Sequence, residues 1–430
     1  MTRARRAEAA QPDTSATVVG TSRREPRRAP RAELEFHVLV LVTLGLVAFG
    51  LVMVYSASSA RAILENHDPA YYLKRQAAYA VVGLIALAFF ARLDYRLLRR
   101  LTAPLLLGSI ALLAAALVIG TAVNGARRWI SLGVVVVQPS ELAKLAVALW
   151  LAALLARRRA PRTVKELARP IGALVGFVCL LVLLEPDLGT AVAIGIICVA
   201  MLLVAGTPLR TLAGAGGLTA TLLLLAIWIE PYRRARIFSF LNPWGDPQGA
   251  GFQTVQSMIA LGSGGIFGVG LGESVQKIYY LPEASTDMIF AIVGEELGLV
   301  GAVGVIAAFA VFGYAGFNVA LRSRDPFGKL LAAGITALVC GQAAVNLSAV
   351  LGLAPLTGIP LPFVSYGGSS LIVALASVGI LLNIAVSDGR EARAQVPGRR
   401  RRNGGTRPAV ARGRRNAARA RGRRDVRRVS

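Results

Sequence analysis

Residues 281–301 read LPEASTDMIFAIVGEELGLVG. One acid, Asp287, stands at the entry to an apolar run that soon carries two adjacent carboxylates, Glu295 and Glu296. A charge at the centre of a bilayer costs about 3 kcal/mol or more, so acids in a membrane span are rare and have a purpose. Whether this stretch enters a bilayer is decided by the rest of the chain. The protein has 430 residues, 55% of them hydrophobic, and a mean hydropathy of +0.59. That is too apolar for a soluble protein, whose surface must balance its core. Ten apolar runs lie near 37–56, 76–91, 103–122, 140–156, 171–184, 188–205, 211–229, 288–318, 330–350 and 369–386. Most approach the roughly 20 residues that a helix needs to cross about 30 Å of hydrocarbon. The expected fold is an all-α polytopic membrane protein with about ten transmembrane helices. The first run follows a polar segment of about 36 residues and is long enough to span, so it is read as a retained span and not a cleaved signal. The weakest runs are 171–184 and 188–205, separated by EPDLG. If they formed a re-entrant hairpin, two spans would be lost together and the termini would stay on one side.

The net charge of +25 is concentrated at the ends of the chain. Residues 389–430 hold 16 arginines and residues 1–36 hold eight. Both segments are poor in aromatics and rich in Ala, Gly and Pro, a composition that cannot bury a core. The expected organisation is a disordered tail over 1–36, a membrane domain over 37–387 and a disordered tail over 388–430. Such tails suit a solvated topogenic role, with anionic headgroups or nucleic acid as non-specific contacts; no dedicated nucleic-acid partner is implied. In the short loops, 14 basic residues follow the second, fourth, sixth and eighth runs, against five in the loops of the other parity. The positive-inside rule then places both termini in the cytoplasm.

This orientation turns the long loop, about 230–287, to the outside. It holds nine glycines between Gly245 and Gly272, and its stretch VQSMIALG suits a short amphipathic helix. Glycines there allow close approach of backbone N–H groups to an anion, or simply make turns. The outer loops also supply Arg127, Arg128 and Trp129 in NGARRWISLG, Glu141 and Lys144 in QPSELAKL, and Glu185 and Asp187 in EPDLGT. The long loop adds Arg233, Arg234, Arg236, Glu273, Lys277 and Glu283. Arginine forks bind phosphate bidentately and a carboxylate serves as general base, so acids beside arginines on one face suit a phosphorylated, lipid-anchored substrate. Asp287 is the candidate base, because it is reachable from outside yet lies next to apolar walls that raise its basicity. Arg127, Arg128, Trp129, Arg233, Arg234, Arg236, Lys277 and Glu283 are candidate substrate contacts. Headgroup anchoring is the alternative for the arginines, and an aromatic belt for Trp129. Structural pairing is expected for Glu141 with Lys144, and for Glu295 and Glu296 with hydrogen-bond or basic partners. Cys179, Cys198 and Cys340 fall inside apolar runs, His37 and His67 are far apart, and neither set has metal-ligand spacing. No nucleotide-binding loop is present, so energy must come from an activated substrate or an ion gradient. No cofactor is required, although a divalent cation can assist such chemistry.

Seven stretches, in order, carry a family resemblance: VMVYSASS (52–59), NGARRWISLG, QPSELAKL, EPDLGTA, NPWGDPQGAGFQTVQS, GLGESVQKIYYLPEASTDMIFAIVGEELGLVG and GLAPLTGIPLPFVSYGGSSL (352–371). Over about 37–387 the chain resembles the SEDS proteins (shape, elongation, division and sporulation), the FtsW/RodA family. The resemblance implies a ten-helix peptidoglycan glycosyltransferase that polymerises lipid II, an undecaprenyl-pyrophosphate-linked disaccharide peptide, at the outer leaflet. It also implies a class B penicillin-binding protein as crosslinking partner, within the divisome. The family's essential acid, in a PEAHTD pattern, corresponds to Asp287, and its outer-loop Trp to Trp129. Ser285 stands here in place of the pattern's His, so a role for that His is absent or modest. EPDLGTA and VMVYSASS resemble the division-associated FtsW branch more than the RodA branch, which implies a septal location. A RodA-type elongation polymerase, a lipid II flippase and a division scaffold are the alternatives. A flippase predicts polar groups spread through the span interiors, whereas these cluster outside.

Overall fold

The computed structural model describes residues 29–123, 126–133, 135–229, 231–278 and 280–394. The Arg-rich stretches 1–28 and 395–430 lie outside the described residues. Thirteen helices and one small sheet are described. The helices are α1 (Ala29–Leu64), α2 (Tyr71–Arg92), α3 (Tyr95–Ile119), α4 (Pro139–Leu155), α5 (Val164–Leu167), α6 (Ala173–Leu184) and α7 (Leu188–Ala205). They continue as α8 (Leu209–Ile229), α9 (Pro231–Leu241), α10 (Phe252–Ser263), α11 (Ile289–Arg322), α12 (Pro326–Val350) and α13 (Gly368–Ala394). Among the described residues, nine helical segments are long and apolar enough to cross a membrane. The fourth apolar run is the exception in length: α4 has 17 residues. The two weak runs need no re-entrant hairpin. The first is extended backwards by α5 and a π-helical turn into a segment of 21 residues, Val164–Leu184, and the second forms an 18-residue helix. Helix α1 starts at Ala29 and α13 runs to Ala394, so both reach into segments whose composition reads as tail.

Local chemistry sets the helix starts. Asp94, Asp187 and Asp325 each accept a backbone N–H in the first turn of α3, α7 and α12, and Pro326 occupies the first helical position. Helices α12 and α13 are the most buried of the nine spans. Around them pack α4, α7 and α11 against α12, and α1 and α2 against α13. Outward-facing Leu107, Ile85, Phe89, Leu222 and Val303 stay exposed, as suits lipid contact. Helix α8 stands off from the bundle, with α5 and α9 as its main neighbours.

The addition to the all-α expectation is an antiparallel meander between α3 and α4. Strands β1 (Thr121–Val123), β2 (Ala126–Leu132) and β3 (Val135–Val137) lie in that order. The β-branched run after Gly133 favours strand over helix. The sheet is tied to α13 through Ser369, whose hydroxyl donates to the Val136 carbonyl at 3.0 Å.

Residues 281–288 form the turn that leads into α11 and residues 289–301 its first part, and that helix is interrupted. Gly298 has φ +66° and ψ −161°, which only glycine adopts readily. The glycine-rich segment enters the gap. Val269 and Gly270 donate N–H bonds to the carbonyls of Glu295 and Glu296 at 3.0 and 3.1 Å. In return, Leu299 and Val300 donate to the carbonyls of Gly265 and Ile266 at 2.9 and 3.2 Å. A Cβ at position 268 would lie 2.1 Å from the Glu296 carbonyl oxygen, so no other residue fits there. The glycines at this point serve packing, because a broken helix inside a membrane protein must find new partners for its backbone. The amphipathic stretch VQSMIALG lies within α10, which packs on α11.

Candidate active site

Asp287 is half-buried and sits in the turn just before α11. Two elements hold that turn, and a third braces one of them. The Asn346 side chain of α12 donates to the Asp287 carbonyl at 2.7 Å and to the Ile359 carbonyl at 2.8 Å. The Tyr366 N–H, in the loop between α12 and α13, donates to the Ser285 carbonyl at 2.9 Å. Gln76 of α2 grips the same loop, donating to the Ser365 carbonyl and accepting from the Gly367 N–H at 3.0 and 3.2 Å. Gly358 (φ +71°) passes close beneath, since a Cβ there would lie 3.9 Å from Asp287 Oδ2. The Thr286 hydroxyl lies 2.9 Å from Glu283 Oε2 and 3.3 Å from Asp287 Oδ1, bridging the two acids. Glu283 itself has φ +57°, a conformation that costs a non-glycine residue on the order of 1 kcal/mol or more.

Beside this turn opens a cavity of about 340 Å³, lined by Arg61, Glu65, Lys277, Leu281, Glu283 and Ser285 among others. It reaches to within two residues of Asp287 in the chain. On its wall Arg61 Nε donates to Glu65 at 2.8 Å, and the Tyr72 hydroxyl donates to the same carboxylate at 2.7 Å. These two bonds hold the Glu65 carboxyl below its ordinary range, Arg61 contributing most.

Lys277 lines the cavity, but its ammonium turns inward. It donates to Glu296 Oε1 at 2.8 Å, to the Gly272 carbonyl at 2.6 Å and to Ser56 Oγ at 3.3 Å. An ammonium has three protons, and all three are engaged inside the protein. The direct substrate contact expected of Lys277 is therefore replaced by an internal pair with a buried glutamate. Glu295 accepts from the Ser274 hydroxyl and from the Val275 N–H at 3.1 Å. The two acids inside the α11 stretch are thus satisfied from the glycine-rich segment and from Ser56 of α1. Glu141 and Lys144 pair at 2.7 Å, both buried, at the start of α4.

On β2, Arg127 is exposed and Arg128 half-buried. Arg128 Nε donates to the Glu185 carbonyl at 2.8 Å, and its Nη2 donates to the Pro186 carbonyl. The neighbouring Trp129 is half-buried, and its carbonyl accepts from Thr121. The turn that Arg128 clamps carries Glu185, fully buried, with neither carboxylate oxygen bonded among the described residues. Burial pushes this carboxyl up to about 8, with the neighbouring Asp187 adding to the rise and Arg128 opposing it. Arg234 lies on α9 with its guanidinium 5.9 Å from the Trp228 ring centre, a cation–π distance. Arg233 and Arg236 are on the same helix, and their side chains lie outside the described residues. The structure therefore splits the expected arginine group between two elements, β2 and α9. No group of three or more His, Cys, Asp and Glu side chains among the described residues is arranged to hold a metal ion.

Sequence reading gave no role to Asn346, Gly358, Gln76 or Tyr366. The available signal was GLAPLTGIPLPFVSYGGSSL, a polar and Pro/Gly-punctuated stretch between two apolar runs. What that loop would touch was not visible along the chain.

Comparison with known proteins bears on what this arrangement does. A family model described as a cell cycle protein, FtsW/RodA/SpoVE, matches residues 36–389. A probable peptidoglycan glycosyltransferase FtsW of Geobacter metallireducens is 45% identical over 353 residues, covering 81% of this chain and 94% of that protein. Stage V sporulation protein E of Bacillus subtilis is 40% identical, covering 81% and 96%. Among solved structures, a chain of a peptidoglycan synthase complex that coordinates polymerisation and crosslinking is similar, with TM-score 0.69 and 35% identity. That match covers 81% of this chain and 97% of the other.

Proposed function

The chain belongs to the FtsW/RodA/SpoVE family of cell cycle proteins, and on that premise we propose that it is a membrane-embedded peptidoglycan glycosyltransferase of the FtsW branch. Its substrate is lipid II, polymerised into glycan strands at the outer face of the cytoplasmic membrane, at the division septum. The observation that carries this reading is Asp287: a half-exposed acid on a turn tethered by α12 and by the α12–α13 loop, beside a cavity at the loop end of the bundle.

In the reaction, a sugar hydroxyl attacks the anomeric carbon of a second lipid-linked disaccharide and a lipid pyrophosphate leaves. Asp287 accepts the proton of the attacking hydroxyl as general base. Negative charge grows on the leaving pyrophosphate, and cations already in place stabilise it without reorganisation. Arg127 is the best-disposed outer arginine, being exposed; Arg128 supports the strand that carries it. Arg233, Arg234, Arg236, Trp129 and Glu283 complete the proposed substrate contacts. A class B penicillin-binding protein is the proposed crosslinking partner, and both termini are cytoplasmic.

The test is incubation of the purified protein, with its transpeptidase partner, on lipid II, followed by gel analysis of the glycan products. Polymer from the wild type and none from Asp287→Ala is the expected result. Transport of lipid II across vesicles without polymer would instead favour a flippase. The absence of both activities would leave a scaffold.

A further inference from the structure

Asn346 is 2% exposed and sits one turn before the end of α12. Both amide protons are used, one on the Asp287 carbonyl and one on the Ile359 carbonyl. A single side chain thereby ties the acid's own backbone to the C-terminal loop, next to Gly358, which borders the Asp287 carboxylate. The Ile359 side is itself anchored. Gly189 of α7 packs so closely on Ile359 and on the Thr357 carbonyl that a Cβ there would lie 2.5 and 2.8 Å away. The chain of contacts runs from α7 through the C-terminal loop and α12 to the candidate base.

We infer that Asn346 is a positioning residue: it sets the place of Asp287, and through it the distance from the carboxylate to the attacking hydroxyl. The choice of amide follows from the partners. Two carbonyl oxygens need two donors; an aspartate of the same shape would face them with acceptors, and a leucine would leave both buried and unbonded. Because the reacting atoms must be held within a fraction of an ångström, a displacement of about 1 Å at the base costs roughly 10²-fold in rate.

This inference rests on the proposed glycosyltransferase activity, and its test keeps the two apart. Asn346→Leu, Asn346→Asp, Asp287→Ala and the double variant Asn346→Leu/Asp287→Ala are purified. Lipid II turnover is measured for kcat and KM, thermal stability alongside, and hydrogen exchange over residues 284–290 and 357–366. Asn346→Leu is expected to lower kcat roughly 10- to 100-fold, with KM within about twofold. Exchange should speed up in both segments by more than in the rest of the molecule. In the Asp287→Ala background the leucine should add no further loss, since the residue it positions is gone. If the leucine variant does not fold, Asn346→Asp carries the same comparison. A wild-type kcat, a loss seen only in KM or melting temperature, or full additivity with Asp287→Ala would overturn the inference. If Asp287→Ala turned over normally, the activity reading would fall. The exchange data would then still decide whether Asn346 holds the turn, and unchanged exchange would sink that as well.

Discussion

The rim and the floor of the 281–301 stretch hold the same chemistry in opposite states. At the rim, Asp287 and Glu283 share a hydroxyl bridge and are half-exposed. About two turns further on, Glu295 and Glu296 are buried and fully engaged by Lys277, Ser56, Ser274 and backbone N–H groups. A buried carboxylate with both oxygens bonded from within the protein is part of the scaffold. One that stays half-exposed, as Asp287 does, can still meet a proton donor from outside the protein. The difference is one of burial, not of residue type.

The largest expected effect breaks the rim. Asp287→Ala should lower lipid II turnover by about 10²–10⁴-fold with the melting temperature unchanged, measured on the purified protein with its partner. A normal rate would erase the distinction between the two ends of the stretch. Breaking the floor should do the reverse. Lys277→Met leaves the Glu296 charge buried and unpaired, a loss of about 3–5 kcal/mol to be read from thermal unfolding in detergent. Replacing both partners, Lys277→Met with Glu296→Leu, should recover much of that stability, because the desolvation cost of each ion disappears too.

The adjacent arginines of β2 repeat the contrast on a smaller scale. Arg128 donates to two carbonyls of the 185–187 turn, whereas Arg127 is exposed. Arg127→Ala should slow turnover about tenfold, the loss of one charge-assisted contact, without a change in melting temperature. Arg128→Ala should lower the melting temperature as well as the rate. Equal behaviour of the two variants would show that exposure is a poor guide to role here.

A pH-dependent effect concerns Glu185. Its carboxyl is raised from 4.5 to about 8 by burial, so folded and unfolded chains bind protons differently between those values. The unfolded chain releases this proton near pH 4.5 and the folded one only near pH 8. The stabilisation is therefore complete below about 4.5 and declines as pH rises towards 8. Glu185→Gln should flatten that decline, giving a melting temperature above the wild type's at pH 8 and no advantage at pH 4. A parallel shift at both pH values would refute the assignment.

Much of the fold was legible in the sequence because hydrocarbon imposes a simple rule. Every backbone polar group must be satisfied within its own segment, so long apolar runs have to be helices. The apolar runs placed the ends of those helices to within about two turns; the caps at Asp94, Asp187 and Asp325 emerged only with the structure. The pairing of Glu141 with Lys144 was legible too, since residues three apart on a helix share a face. Asp287 stood out because desolvation makes an acid costly at the edge of an apolar run, and few acids are found there without a function.

Tertiary structure alone decided the rest. Nothing local announces that Lys277 meets Glu296 across 19 positions and Ser56 across 221, or that the glycines of the 245–272 segment mend a break in α11. The meander at 121–137 was hidden as well, because three short strands have too few residues for a clear period. Asn346 reads locally as one polar residue within an apolar helix. Its meaning depends on two carbonyls, 59 and 13 residues away, and a donor's partners are set by where the chain returns in space. The sequence by itself determined which segments are long and apolar enough to be spanning helices, because hydrocarbon leaves no other way to satisfy their backbone; contacts between distant segments determined which charges are sealed in and what holds the Asp287 turn in place.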